Sequence, residues 1–555
     1  MQKSGVPAPV LNEGIRRTHG KRRALNANIK AAEILSEAMK TSLGPKGLDK
    51  MLVSGAGVVY ITSDGARILE KMDISNPIAR MLVEVAKTQD EITGDGTTTV
   101  VVLAGELLKE ARDLIDKRIH PSIVVKGYEI AAKEALRILK ELAIKVNPQD
   151  KDVVKKIAKV ALSSKLLAEH IDLMTDMATE AMLRILDKKT SKYDEILDDI
   201  KIQKKHGNSL TDSMLVDGLV IDKVDKEVVL HTKMPRRVHN AKIALIVNAI
   251  EIKKPEFSTK ISIEKPNHIK TILKEEENLL KNKLDRLSEL GVNVLICQRD
   301  ISEKAVKMLA DRNILAVKRV KFVEMDRLVK ATGGNLVTDI EELGSKDLGY
   351  AGIVEERKFG KDKQALSKRD MLLFIENCKN PRALTILIRG GTETLVREAE
   401  IAINDALCVI REIMKEPYII VGGGAVELEI SRRLRSFAEE FKGKEQVSIL
   451  SFSKALESIT AALAENSGLN SIDVLTKLRA KHNEGEIWYG VDPIKGNIMD
   501  LYKKGIYEPI SVKNQAIISA SEVSQMILKI DDIIFLSQSG GKEKGQDKEE
   551  DSGEG

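Results

Sequence analysis

Apolar residues recur at helical spacing through most of the first 145 positions. From Pro121 to Leu142 the series Val124, Tyr128, Ala131, Ala135, Ile138 and Leu142 marks one face of a helix. Ala24 to Met39 reads the same way. Pro77 and Pro121 stand where first helical turns begin, because proline there has a preset φ and no needed N–H to lose. Residues 424–440, 453–467, 471–481 and 512–529 are also helical in pattern. The middle differs: strand-like runs Ile243–Val247, Val292–Ile296 and Ile314–Val317 alternate with helical runs at 268–290 and 301–312. That alternation predicts βαβ-like units, so the chain reads helical, then α/β, then helical. No apolar run approaches the ~20 residues of a membrane helix. Ser537 to Gly555 is glycine, lysine and acid with almost nothing apolar, and is expected to be disordered.

Four turns interrupt this pattern with residues suited to chemistry. Glu91-Ile-Thr-Gly-Asp-Gly-Thr-Thr-Thr99 sets Asp95, Gly94, Gly96, Thr97, Thr98 and Thr99 just ahead of an apolar helical run. A helix starting there points free N–H groups and a positive dipole end outward, which suits phosphate. The hydroxyls can donate to phosphate oxygens, and Asp95 can hold a Mg²⁺ that bridges them. Thr41-Ser-Leu-Gly-Pro-Lys-Gly-Leu-Asp49 follows the first helix, with Gly44 predicted to stop it and Pro45 and Gly47 shaping an amide-rich loop. Thr62-Ser-Asp-Gly65 places Asp64 on a turn past the strand-like run Val58–Ile61. Val421-Gly-Gly-Gly-Ala425 leads into a helix, where bare backbone can approach a ligand. Taken alone, the first turn reads equally as an ordinary threonine N-cap after a glycine turn, and each of the other three reads more readily as a helix cap or hairpin turn.

Leu43-Gly-Pro-Lys-Gly47, Ser63-Asp-Gly-Ala66, Gly94-Asp-Gly-Thr-Thr-Thr99, Ile388-Arg-Gly-Gly-Thr392 and Gly422-Gly-Gly-Ala-Val-Glu427 closely resemble the group II chaperonins. That family comprises the archaeal thermosome and the eukaryotic cytosolic chaperonin. The likeness runs from about Leu11 to about Phe535 and is strongest to an archaeal thermosome subunit. It implies a multidomain chaperonin fold of helical and α/β parts. Residues 1–150 and 405–536 would form a mainly helical equatorial ATP-binding domain. Residues 151–217 and 370–404 would form a small α/β intermediate hinge. Residues 218–369 would form an α/β apical substrate-binding domain, with a helical protrusion at about 250–280 acting as a built-in lid. The activity implied is an ATP-dependent chaperone that encapsulates unfolded polypeptide in a double ring. Its partners would be identical or paralogous subunits in stacked rings and non-native polypeptides.

The resemblance also assigns roles. ATP or ADP with Mg²⁺ is the implied cofactor, with Asp95 as metal ligand and Gly96 with Thr97–Thr99 around the phosphates. Ser42, Leu43, Gly44, Pro45 and Gly65 match nucleotide-contacting positions, and Gly423 matches the glycine against the ribose or base. Glu508, in Gly505-Ile-Tyr-Glu-Pro509, matches a ribose-contacting acid, and Asp492, in Gly490-Val-Asp492, an adenine-side position. Asp405, in Ile403-Asn-Asp-Ala-Leu407, matches a catalytic carboxylate that reaches the γ-phosphate when the intermediate domain closes, with Asp64 assisting. Lys165, in Ala161-Leu-Ser-Ser-Lys165, matches a γ-phosphate sensor. Without the resemblance Asp405 is an ordinary mid-helix acid beside the apolar stripe Ala402, Ala406, Val409 and Ile413. Some positions depart from the family pattern: Ser458-Ile-Thr-Ala461 replaces an Ile-Pro-Arg-like triplet, Arg67 replaces a small polar residue, and His482-Asn-Glu-Gly-Glu-Ile-Trp488 carries the sole tryptophan.

Composition narrows the alternatives. A chain of 555 residues exceeds the ~250–300 at which single cores stop growing. Charged residues make up 31% and aromatics 3%, which fits a helical protein with surface ion-pair networks. The net charge is only +5, against the clustered basic charge of a nucleic-acid binder, so no nucleic-acid partner is expected. The basic cluster Arg16, Arg17, Lys21, Arg22 and Arg23 reads as an arm or subunit contact. Three scattered cysteines, Cys297, Cys378 and Cys408, argue for reduced thiols in a cytosol-like compartment. The positive N-terminus has no apolar h-region, so no signal peptide is read, and a cytoplasmic protein without stable membrane association is expected. No Walker A motif occurs, so an ATPase here is not of the P-loop kind.

Overall fold

The computed structural model describes residues 15–17, 21–164, 168–186, 193–222, 231–251, 266–358, 371–379, 382–531 and 534–536. The first helical block holds β1 (Ile15–Arg17), α1 (Lys21–Lys40), β2 (Lys50–Val53), β3 (Val59–Thr62), α2 (Gly65–Lys71), α3 (Pro77–Thr93), α4 (Thr97–Asp116), α5 (Pro121–Leu142) and β4 (Ile144–Lys145). Pro77 and Pro121 occupy first turns, each behind a side-chain cap from Asn76 or His120. The first helix ends at Lys40 rather than at Gly44, which instead takes a left-handed φ of 80° inside the following loop.

Next come α6 (Lys151–Leu162), α7 (Ile171–Leu186), α8 (Ile196–Asp199), β5 (Ile200–His206), β6 (Met214–Val216) and β7 (Gly218–Asp222). The α/β centre holds β8 (Arg237–Ile246), α9 (Pro266–Glu289), β9 (Val294–Cys297), α10 (Glu303–Asp311), β10 (Leu315–Val317), α11 (Phe322–Thr332), β11 (Leu336–Val337), β12 (Gly349–Lys358) and β13 (Met371–Glu376). The return passes through β14 (Leu384–Gly390) and α12 (Glu393–Lys415) to β15 (Tyr418–Val421), α13 (Ala425–Ala438), α14 (Lys444–Asn466) and α15 (Ser471–Asn483). It finishes with β16 (Tyr489–Asp492), β17 (Asn497–Asp500), α16 (Leu501–Lys504), β18 (Tyr507–Pro509), α17 (Ile510–Lys529) and β19 (Ile534–Leu536).

The main sheet runs β10-β9-β8-β12-β13-β7, with β11 also on β8. Strands β8, β9 and β10 are parallel, and β12, β13 and β7 antiparallel. Of the parallel strands, β9 and β10 are apolar and buried throughout, and β8 is so over Ile243–Ile246, where it pairs with β9. A smaller sheet, β5-β14-β6, carries α12.

Three large apolar clusters divide the chain. The first joins α1, α3, α4 and α5 to α13, α14 and α17, so both helical ends share one core. Tyr128 and Phe452 meet edge to face there at 5.5 Å. The second packs around β8–β10. The third joins α6 and α7 to β14 and α12. Helix α14 corrects one expectation: Lys444–Asn466 is long and apolar enough to cross a membrane by composition. Its apolar surface is used inside the first core, where Ile449, Phe452, Leu456 and Ile459 are buried. Of the expected lid protrusion at about 250–280, residues 252–265 lie outside the described residues and 266–280 begin α9; the tail at 537–555 also lies outside them.

Candidate functional site

The α3–α4 turn is built by glycine. Gly94 closes α3 at φ 70°, and Gly96 caps α4 at φ 81°. Gly96 has no side chain, so no capping group takes the first amides of α4 and they face outward. The sequence reading allowed a threonine cap; the cap is Gly96 instead. Gln89 Nε2 pins the turn by donating to Asp95 O at 2.9 Å and Val512 O at 3.1 Å. Thr93 Oγ1 also donates to Asp95 O, and the Gly96 amide donates to Asp95 Oδ1 at 2.6 Å.

The β3–α2 turn packs against it. Asp64 caps α2 by accepting the Arg67 amide at 3.0 Å. A Cβ on Gly65 would stand 2.6 Å from Thr98 Oγ1 and 2.9 Å from the Thr98 amide, so only glycine allows this approach. The α1–β2 loop forms a third wall. Asn466 Nδ2 ties it down through Lys40 O at 2.9 Å and Leu43 O at 2.8 Å, and Ser42 Oγ donates to Leu48 O. The fourth wall is the glycine run before α13. Gly423 has φ 66°, and a Cβ there would lie 2.3 Å from Leu501. Thr460, inside the segment that departs from the family pattern, donates to Gly424 O at 2.9 Å.

These walls enclose a cavity of about 530 Å³, within the ~300–1,000 Å³ range of small-molecule sites. Ser42, Leu43, Gly44, Pro45, Asp64, Gly65, Asp95, Gly96, Thr97, Thr98, Thr99, Gly423, Asp492 and Glu508 all line it. Lys165 lies outside the described residues. Asp405 is buried on α12 and is not among the lining side chains. Its helix nonetheless touches two walls. Thr62 Oγ1 donates to Glu398 at 3.0 Å, and Cys408 abuts Gly94. Glu398 and Asp405 are seven residues apart and so share a face.

Electrostatics separate two of the acids. Asp492 is fully buried, which raises its carboxyl, but Lys504 Nζ at 2.5 Å and the amides of Lys495 and Ile494 outweigh burial and hold it below the usual range. Both its oxygens are therefore engaged in the wall. Burial pushes Glu508 up, opposed by the Lys513 ammonium. Lys513 Nζ lies 2.7 Å from Glu427 Oε1 and 3.2 Å from Glu508 Oε2. Burial pulls Lys513 down, yet those two acids hold it well above its ordinary value.

Sequence reasoning missed the basic lining: Lys156 and Lys159 of α6, Lys504 and Lys513, with Ser163 and Ser164 beside them. Lys156, Lys159 and Ser163 have the i, i+3, i+7 spacing of one helix face. That spacing was the available signal, and it was faint among 89 basic residues.

The TCP-1/cpn60 chaperonin family model matches residues 35–538. The chain belongs to this family. It is 45% identical to thermosome subunit beta of Sulfurisphaera tokodaii over 552 residues, covering 99% of this chain and 98% of that one. It is 45% identical to thermosome subunit alpha of Archaeoglobus fulgidus over 553 residues, with 99% of each covered. Against the thermosome subunit of Pyrococcus horikoshii the identity is 46% over 555 residues, covering 100% of this chain and 99% of the relative. The protein is thus an ATP-dependent chaperonin with the multidomain chaperonin fold, and an ATPase. Nucleotide use follows from the family.

Proposed function

We propose that the cavity binds Mg-ATP and that α12 delivers Asp405 to the phosphate end to position or deprotonate the attacking water. One observation carries this reading: the helix holding Asp405 grips the Asp64 turn through Glu398 and the Asp95 turn through Cys408. The outward amides of α4 and the Thr97–Thr99 hydroxyls suit the β- and γ-phosphates, and Lys165 is assigned to the γ-phosphate. No group of three His, Cys, Asp or Glu ligands gathers among the described residues. Mg²⁺ commonly takes only one or two carboxylates and completes its shell with phosphates and water, so Asp95, with Asp64 lining the same cavity, fits it. Bound there, the ion would supply neutralising charge to the phosphates.

The three cores support a division into equatorial (1–150 and 405–536), intermediate (151–217 and 370–404) and apical (218–369) parts, except that β13 packs in the apical sheet and core and that Ala406, Leu407, Ile410 and Met414 of α12 pack in the intermediate core. The unbroken helix α12 crosses the limit at 404/405. Stacked rings of such subunits, closed by the 250–280 lid around non-native polypeptide in the cytoplasm, complete the proposal. The β2–β3 hairpin supports subunit packing. It is a two-stranded sheet with exposed Leu48, Met51, Val53, Val58 and Val59, a surface suited to burial in an assembly.

Electron microscopy of the purified protein with and without ATP tests the assembly, and protease protection of a trapped substrate tests encapsulation. Excising 252–268 should spare hydrolysis and abolish protection. A particle of about one subunit's mass, near 61.3 kDa, would instead favour a stand-alone ATPase.

A further inference from the structure

Lys513 stands out among the described basic residues lining the cavity because its ammonium is buried between two acids. It sits on α17, with Glu427 of α13 at 2.7 Å and Glu508 of β18 at 3.2 Å. Glu427 and Lys513 are nearly inaccessible. Glu508 also feels the like charges of Glu427 and Asp95. Three carboxylates therefore meet in and behind one wall, with Lys513 between two of them. A buried carboxylate with acidic neighbours tends to take up a proton and lose half of its acceptor capacity. The other Glu508 oxygen, Oε1, lies against Gly422, where a Cβ would come within 2.3 Å, so the carboxylate has little room to turn away.

We infer that Lys513 is a positioning residue: clasped between Glu427 and Glu508, it holds Glu508 as an ionised, fixed acceptor for the ribose hydroxyls of the nucleotide. The inference rests on the reading of Glu508 as the ribose-contacting acid. The clasp makes the site select a ribose over a sugar lacking both hydroxyls. A hydrogen bond to a charged group that the analogue cannot make is worth about 10-fold or more in affinity.

The experiment compares calorimetric affinities of the assembled full-length protein for ADP and 2′,3′-dideoxy-ADP. The unaltered protein should prefer ADP by about 10-fold or more. Lys513→Met should bring the ratio close to one, as should Glu508→Gln, while Lys513→Arg keeps the preference. In steady-state hydrolysis the Lys513→Met loss should fall on KM more than on kcat. If Lys513→Met does not assemble, Lys513→Gln is read in the same way. A lost preference in Glu508→Gln with an intact one in Lys513→Met overturns the inference and leaves the ribose reading standing. An intact preference in Glu508→Gln overturns both. A Lys513→Met loss confined to kcat also overturns it, by placing the ammonium at the reacting phosphates.

Discussion

Cys408 lies so close against Gly94 that a Cβ on the glycine would come within 2.2 Å of the cysteine Cβ. This contact joins α12, which carries Asp405, to the turn that carries Asp95. Burial, as the largest influence, pushes the Cys408 thiol up to about 12, so it acts as an inert spacer rather than a nucleophile. Gly94→Ala would add this collision to a left-handed φ of 70°, itself worth about 1–2 kcal/mol for a residue with a Cβ. The expected outcome is a lower melting temperature by calorimetry together with a larger proportional loss of ATP turnover.

Asp405→Ala separates binding from chemistry. The variant should bind ATP with near-normal affinity by calorimetry and hydrolyse it roughly 10²–10⁴-fold more slowly, the usual contribution of a positioned acid or base. Unchanged turnover would remove Asp405 from the role.

Gly65→Ala tests the notch between two walls. The new methyl would sit 2.6 Å from Thr98 Oγ1 and 2.9 Å from the Thr98 amide, and the backbone cannot yield as a long side chain would. A displacement of about 1 Å at the α4 terminus should reduce turnover by roughly 100-fold. Normal kinetics with a folded, assembled protein would show that the two turns move apart at no cost.

Glu429 predicts a pH dependence of stability. Burial raises its carboxyl, but His482, Arg432 and Arg433 outweigh burial and lower it to about 2. His482 Nδ1 lies 3.1 Å from Glu429, and its Nε2 lies 2.9 Å from Tyr489 O. A depressed folded value means stabilisation that is present above the ordinary carboxylate value of ~4.3 and fades as pH falls toward 2. Glu429→Gln should therefore destabilise the subunit by roughly 2 kcal/mol at pH 7, and the gap between the two proteins should narrow at pH 3. Thermal denaturation at both pH values measures it, and an equal gap at each would refute the assignment.

The framework was legible where backbone chemistry leaves few options. Pro77 and Pro121 start helices, and Gly44, Gly94, Gly96 and Gly423 occupy left-handed conformations that other residues rarely take. Short apolar runs alternating with stretches of helical spacing separated the α/β centre from its helical flanks. Long basic side chains were opaque: Lys156, Lys504 and Lys513 reach the cavity only because tertiary packing directs them there. The α14 helix was missed as an apolar stretch because Lys454 and Glu457 interrupt it. Lys454 pairs with Glu110, and the buried Glu457 with Arg435 and Arg479, while the apolar face of the helix fills the core. Asp405 carried no local signal, and only the family resemblance singled it out. Its burial depends on how α12 lies across two distant loops.

Helix α12 spans 23 residues without a break, a rod of roughly 35 Å. Its two grips and its acidic group keep their mutual bearings only through the count of residues separating them. Inserting one residue between Glu398 and Asp405 would rotate the downstream half by about 100° and swing that acid to another side of the rod. Exposed positions such as Arg397 and Asn404 can be substituted with that bearing intact, whereas a change of length between the grips cannot be absorbed.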